Sequence, residues 1–448
     1  MGGPCFVTGW ALEANYPAGS NAWNAQPCKV VPTGDIFIPG TPAAPKPLPA
    51  EWLNWLFNEY GAAVQQLQLV SYTPALQNWG PEQGQAAAPF NPAAFLAACW
   101  DPTLRRTLLC GSQGPGGPGG AFVFVWASYG MDGNAAPAWF SFPGFLPAGG
   151  SLNTNAAVCA DPNTSGYYWV AYGSATSSGQ VPIGQYNASG ALVTGTTYFN
   201  GVQLPLFPNN TLLYTQLHSF NGTVYITIGS TVTTGAYLFQ AGSSTNLIGG
   251  ATGATGLMLM ADNAANGGPN NLLIAMPTQA GSNEYWTSPD GATWTQRNLG
   301  GIVTGGQNVF GLVWTQDAVG PCWLLGINGS GGGGRPFFYR SADGVIWTVQ
   351  AGPNSLPRKG TSMACIGGSS AVYVSFLDVA SGGLSAGQWS ADGGATWYQG
   401  PATLTSNLAT GVQFWTPQQV VASDVGLFMF NSLWFRFSQL AGVPAAHL

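Results

Sequence analysis

Three short stretches constrain this chain more than anything else in it: S-P-D-G-A-T-W from Ser288, S-A-D-G-V-I-W from Ser341 and S-A-D-G-G-A-T-W from Ser390. Their starts lie 53 and then 49 residues apart. An apolar run and a Gly-containing connection precede each one: Leu272 to Met276, Cys322 to Ile327 and Ala371 to Phe376. An earlier pair of stretches, Cys99-Trp100-Asp101-Pro102 and Cys159-Ala160-Asp161-Pro162, repeats as C-x-D-P 60 residues apart. Periods of about 50 residues holding four strands each are the pattern of a β-propeller. The expected fold is therefore all-β, a propeller of about seven four-stranded blades with units starting near residues 95, 153, 210, 255, 305, 358 and 408. The segment Leu67 to Trp79 reads as a stray strand that pairs with the last blade and closes the ring, removing exposed edges.

Composition agrees with many short strands joined by tight turns. The chain has 65 Gly and 33 Pro, yet its 18 Trp, 16 Tyr and 23 Phe give it the aromatic side chains that disordered chains lack. Charged residues make up 6%, against roughly 25% in ordinary soluble proteins. With no cluster of Lys and Arg, nucleic acid is not an expected partner. No run of about 18 apolar residues exists to insert into a membrane. The N-terminus M-G-G-P-C-F-V has no signal-peptide pattern, so synthesis in a cytoplasm is expected. The seven Cys include no C-x-x-C and no nearby His, so neither a metal nor a cofactor is expected. Cys159 and Cys365, with apolar neighbours, read as buried thiols.

The box residues have a physical reading as turns. The Asp carboxylate accepts hydrogen bonds from turn N–H groups, Gly supplies positive φ, and the closing Trp offers an apolar face. The residues concerned are Ser288, Asp290, Gly291 and Trp294; Ser341, Asp343, Gly344 and Trp347; and Ser390, Asp392, Gly394, Thr396 and Trp397. None is a nucleophile, a base or part of a metal cage, and no catalytic residue is assigned. Asp101 and Asp161 read as turn residues in the same way. His218, in L-H-S-F-N-G, reads as a partly buried strand residue leading into an N-G turn.

These boxes resemble the Asp-box, or BNR, repeat of sialidases and many other propellers. Ser390 to Trp397 carries the full S-x-D-x-G-x-T-W form and the other two are one residue shorter. The resemblance implies a propeller with the box between the third and fourth strands of a blade, away from the active-site face. The chain departs from sialidases: it lacks an F/Y-R-I-P motif, and no Asp/Glu pair suggests the two carboxyl groups of a glycosidase.

Residues 1–66 differ from the rest and are read as a separate arm, with the propeller over 67–448. Pro39, Pro42, Pro45, Pro47 and Pro49 precede A-E-W-L-N-W-L-F-N-E-Y-G, which has the spacing of one short amphipathic helix. Such a helix reads either as packed under the propeller or as a docking helix, in which Trp52, Trp55, Leu56 and Phe57 are the assembly contact needing a partner surface. D-I-F-I-P-G-T-P at 35–42 and P-A-E-W-L-N-W-L-F-N at 49–58 resemble the N-terminal region of tailed-bacteriophage virion proteins. That resemblance implies a non-enzymatic tail component, present in multiple copies in a symmetric assembly and held by other virion tail proteins through the arm. A host surface glycan is a further expected partner. Two alternatives remain open at this point: a carbohydrate-binding receptor-recognition module and a glycan-cleaving enzyme.

Overall fold

A computed structural model of the chain describes residues 83–84 and, with interruptions in the connections, residues 92–439. These residues belong to one of two compact units, Pro74–Leu448. The arm and helix expected over residues 1–66, with Trp52, Trp55, Leu56 and Phe57, lie outside the described residues.

Twenty-seven strands and no helix occur among the described residues. Gln83–Gly84 forms β1. Sheet one contains β2 (Pro92–Asp101), β3 (Arg106–Gln113), β4 (Phe122–Ala127) and β5 (Ala138–Phe142). Sheet two contains β6 (Asn155–Ala160), β7 (Tyr168–Gly173), β8 (Gln180–Tyr186) and β9 (Leu192–Phe199). Sheet three contains β10 (Leu213–Phe220), β11 (Thr223–Ser230) and β12 (Ala236–Gln240). Sheet four contains β13 (Met258–Asp262), β14 (Leu273–Pro277), β15 (Glu284–Ser288) and β16 (Thr295–Asn298). Sheet five contains β17 (Asn308–Gln316), β18 (Pro321–Asn328), β19 (Phe337–Ser341) and β20 (Thr348–Gln350). Sheet six contains β21 (Lys359–Cys365), β22 (Val372–Leu377), β23 (Ser385–Ser390) and β24 (Tyr398–Gln399). Sheet seven contains β25 (Gln419–Ala422), β26 (Gly426–Phe430) and β27 (Trp434–Gln439), and β1 is its fourth strand.

Sheets one to six are antiparallel meanders in sequence order, and in sheet seven the antiparallel run β25-β26-β27 is followed by β1. The first strands pack in a cycle: β2 on β6, β6 on β10, β10 on β13, β13 on β17, β17 on β21, β21 on β25, and β25 back on β2. That cycle of meanders is a β-propeller, and each sheet is a blade.

The apolar runs form strands because both of their faces are covered. Along β18, Trp323, Leu325 and Ile327 join the core shared with sheet four, while Leu324 joins the core shared with sheet six. In β14, Ile274 and Met276 face sheet five, and Leu273 and Ala275 face sheet three. Successive side chains of a strand point to opposite faces, so an uninterrupted apolar run fills two cores at once. Burying one such Leu or Ile contributes roughly 1.5–3 kcal/mol.

Two expectations change. Sheet three has three strands among the described residues rather than four. Beside β12, the Asn246 side chain accepts from Leu238 N (3.2 Å), and Leu247 N donates to Leu238 O (2.8 Å). The sequence here, Q-A-G-S-S-T-N-L-I, lacks a box to turn a third strand into a fourth. The strand that completes sheet seven is Gln83–Gly84, paired with Phe435 and Trp434, and the segment 67–79 lies outside the described residues.

A chain beginning at residue 67 is expected to fold with an unchanged cooperative melt, followed by circular dichroism. One beginning at residue 91 loses β1 and becomes less stable by roughly 1 kcal/mol for each lost ladder hydrogen bond. Failure of the first chain to fold would place residues 1–66 in the core.

Candidate functional site

The three boxes occupy the turns from β15 to β16, β19 to β20 and β23 to β24, that is, from third to fourth strand of sheets four, five and six. In the first, Ser288 Oγ donates to Asp290 Oδ1 (3.1 Å) and accepts from Gly291 N (2.7 Å). Asp290 Oδ1 also accepts from Ala292 N (2.8 Å) and Thr293 N (2.7 Å), and Thr293 Oγ1 donates to Oδ2 (3.0 Å). The third box repeats this: Ser390 Oγ to Asp392 Oδ1 (2.7 Å), Gly394 N to Ser390 Oγ (2.7 Å), Thr396 N to Oδ1 (2.8 Å) and Thr396 Oγ1 to Oδ2 (2.6 Å). In the second, Asp343 Oδ1 accepts from Ser341 Oγ (3.0 Å), Val345 N (2.8 Å) and Ile346 N (2.9 Å). Ile346 has no hydroxyl with which to reach Oδ2.

The box also fastens its blade to the preceding one. Gly291 has φ 79° and lies so close to Tyr225 of β11 that a Cβ would collide with the phenol. Gly394, at φ 94°, lies where a Cβ would be 2.7 Å from Leu324 of β18. The box tryptophans meet aromatic rings of the preceding sheet: Trp294 on Tyr225, Trp347 on Tyr285 and Trp397 on Phe338, with ring centroids 6.4, 6.4 and 4.7 Å apart. Tyr285 OH donates to Gly344 O (2.9 Å) and accepts from Trp347 Nε1 (3.2 Å).

In an antiparallel meander the turns from first to second and from third to fourth strand share one end of the sheet. The C-x-D-P turns therefore lie at the same end as the boxes. Asp101 Oδ1 accepts from Thr103 N (3.1 Å) and Leu104 N (3.3 Å), and Oδ2 from Arg106 Nε (2.9 Å). Asp161 accepts from Asn163 N (2.9 Å) and Thr164 N (2.8 Å), and from Trp169 Nε1 and Gln185 Nε2 (both 2.7 Å). The sequence reading missed a third turn of this kind. Asp317, just past β17, accepts from Val319 N (2.8 Å) and Gly320 N (2.9 Å) and pairs with Arg340 of β19. Its signal was an Asp at the end of a first strand, the place held by Asp101 and Asp161.

Hydrogen-bond donors keep the box carboxylates ionised. The Thr293 and Ala292 N–H groups hold Asp290 down at about 2, against slight burial. Partial burial pushes Asp343 and Asp392 up, but the turn donors outweigh it and hold both below the usual carboxylate range. A carboxylate so held is a weak proton acceptor near neutrality. Burial pushes the Cys159 thiol up to about 12 and Cys322 up to about 11, which suppresses their thiolates. Cys159 is buried, whereas Cys365, expected to be buried, keeps partial exposure at the end of β21.

His218 lies partly buried in β10, and its Nε2 is 2.6 Å from Asp262 Oδ2 at the end of β13. Adjacent residues of a strand face opposite ways. His218 faces sheet four, while the Ser219 hydroxyl lies towards Cys159 of sheet two. Ser219, His218 and Asp262 therefore do not form a nucleophile–base–carboxylate set; the His–Asp contact links two blades. Among the described residues no group of three His, Cys, Asp or Glu side chains is placed to hold a metal ion.

No known protein family matches the chain, and no curated protein sequence matches it. Solved structures similar to it include YCF48 bound to D1 peptide, at 14% identity and TM-score 0.47, covering 82% of this chain and 98% of that one. The BP39L lectin from Burkholderia pseudomallei has 13% identity and TM-score 0.48, covering 75% of this chain and 92% of the lectin. The Dos1 propeller has 8% identity and TM-score 0.43, covering 78% of each chain. At such likeness the fold assignment rests on the sheet topology itself.

Asp392→Ala is expected to lower stability by about 1–3 kcal/mol in a denaturant titration, because turn N–H groups lose their acceptor. Unchanged stability would contradict the turn assignment. The carboxylates' folded pKa values lie below their unfolded values, so their stabilisation is complete above pH about 4 and is lost as pH falls towards about 2. Melting temperatures measured from pH 7 to 2 should be flat and then drop in that window, with a shallower drop in Asp392→Ala.

Proposed function

We propose that the protein is a non-enzymatic structural component of a tailed-phage virion, a tail-associated propeller anchored through residues 1–66. The observation that carries this reading is the arm, whose segments 35–42 and 49–58 resemble the N-terminal region of such proteins. Two features of the propeller support it. The described box and C-x-D-P carboxylates are taken up by the protein's own turns and act as internal fasteners. A chain with 6% charged residues presents a largely neutral surface, suited to lasting apolar and hydrogen-bonded contact.

In this reading Trp52, Trp55, Leu56 and Phe57 dock on another tail protein, and the propeller occurs in multiple copies. Electron microscopy of purified particles tests the placement: ring-shaped densities on the tail support it, and their absence from particles lacking this chain assigns them.

Attachment through apolar side chains predicts resistance to salt. The Debye length shortens from about 10 Å at 0.1 M to about 3 Å at 1 M, weakening ionic contacts and sparing apolar ones. The protein should remain on its particle through a wash in 1 M NaCl. Trp52→Ala combined with Trp55→Ala should release it, since such residues cost roughly 2 kcal/mol or more each when truncated. Release by salt alone, or retention of the double variant, measured by immunoblot of sedimented particles, defeats the docking role of the arm.

A further inference from the structure

Of the four Asn-Gly pairs in the sequence, two lie among the described residues, Asn221-Gly222 and Asn328-Gly329, and the fold treats them oppositely. Asparagine is a thermolabile side chain, and a following glycine leaves its own N–H open to close approach. Asn328 is 2% exposed, and Gly360 holds both ends of its amide. Its Oδ1 accepts from Gly360 N (2.6 Å) and its Nδ2 donates to Gly360 O (3.0 Å).

Asn221 and Gly222 form the exposed tip between β10 and β11. The ladder closes on Phe220 and Thr223, so neither tip residue belongs to it. Asn221, at φ 49°, is the only non-glycine residue in the left-handed region among the described residues, and Gly222 follows at φ 75°. Space around the tip is open: a Cβ added to Gly222 would meet one atom, Asn163 Oδ1 at 3.2 Å. Asn271, just ahead of β14, donates from Nδ2 to Asn221 Oδ1 (3.4 Å). Negative charge grows on that oxygen when a nucleophile attacks Cγ, and an N–H aimed at it lowers the barrier.

We propose that Asn221-Gly222 is a self-modification site, where the chain deamidates through its own backbone with the Asn271 amide assisting. Hydroxide takes the proton from Gly222 N, and the nitrogen attacks Asn221 Cγ. The bond from Cγ to the side-chain nitrogen then breaks. That nitrogen takes a proton from water and leaves as ammonia, which restores the hydroxide and leaves a cyclic succinimide. Water, the co-reactant, opens the ring. Addition at Cγ breaks the new bond and gives aspartate. Addition at the backbone carbonyl breaks the original peptide bond and gives isoaspartate, with the chain running through Cγ. Either product adds a negative charge. Isoaspartate also lengthens the turn by a methylene and displaces Gly222 O, which accepts from Asn163 Nδ2 of the turn after β6 (2.7 Å). The tip joins sheets two, three and four through Asn163 and Asn271, so its conversion loosens two blade contacts at once. This chemistry belongs to the isolated chain and does not rest on the tail reading.

Purified full-length protein, held in mildly alkaline buffer, is sampled over time by peptide mass spectrometry, with electron-transfer fragmentation separating isoaspartate from aspartate. Conversion at Asn221 should run at least about tenfold faster than at Asn328. In urea-unfolded protein the two rates should converge, because the fold makes the contrast. Asn271→Ala should slow conversion at Asn221 by about two- to tenfold, the effect of one ordinary hydrogen bond. Should that variant alter the thermal melt, Asn271→Asp decides, because it keeps the shape and lacks the N–H. An Asn221 that stays intact, or converts no faster than Asn328, overturns the site. An unchanged rate in the deciding variant overturns the part given to Asn271.

Discussion

A strand with two apolar faces cannot leave either to water, and this rule organises the molecule. Leu324 and Leu325 are neighbours in β18, yet they belong to different cores, one against sheet six and one against sheet four. Ile274 and Ala275 divide in the same way between sheets five and three. A sheet built so must be covered on both sides by sheets of its own kind. A row of them ends in an exposed apolar face unless the row curls back on itself, as the packing of β25 on β2 allows.

Stacking alone leaves the relative placement of the sheets loose, and the boxes sharpen it. Each couples a turn held by a carboxylate to a Trp resting on an aromatic ring of the blade before it. The Tyr285 hydroxyl joins the two halves, reaching both the Gly344 carbonyl and the Trp347 indole. Local backbone satisfaction and contact between blades are thus met by the same few residues. This explains why Ser, Asp, Gly and Trp recur together.

What could be read from the sequence depended on how local its cause was. The boxes and the C-x-D-P turns were legible because donor and acceptor lie within a few residues, as in Thr396 to Asp392 or Leu104 to Asp101. Asp317 with Arg340 was not, because its partner lies 23 residues away on another strand. Asp262 with His218, 44 residues apart, joins two blades and leaves no trace in either repeat. That sheet three has three strands among the described residues was hidden for the opposite reason: one side chain, Asn246, takes over a ladder's acceptor role with no pattern to announce it.

The pairing of β1 with β27 sets an order of events. Gln83 is made long before Phe435, so the strand that completes sheet seven waits for its partner while the strands of sheets one to six are synthesised. At about 5–20 residues per second the wait is on the order of tens of seconds. During it, sheets one to six can form as they emerge, since each draws its strands from consecutive sequence. The last step then brings together residues at the greatest sequence separation in the sheet pairing, with the largest loss of chain entropy. A nascent propeller is therefore an open arc of finished blades with apolar faces at both ends, and its time of greatest vulnerability falls just before β27 emerges and pairs with β1.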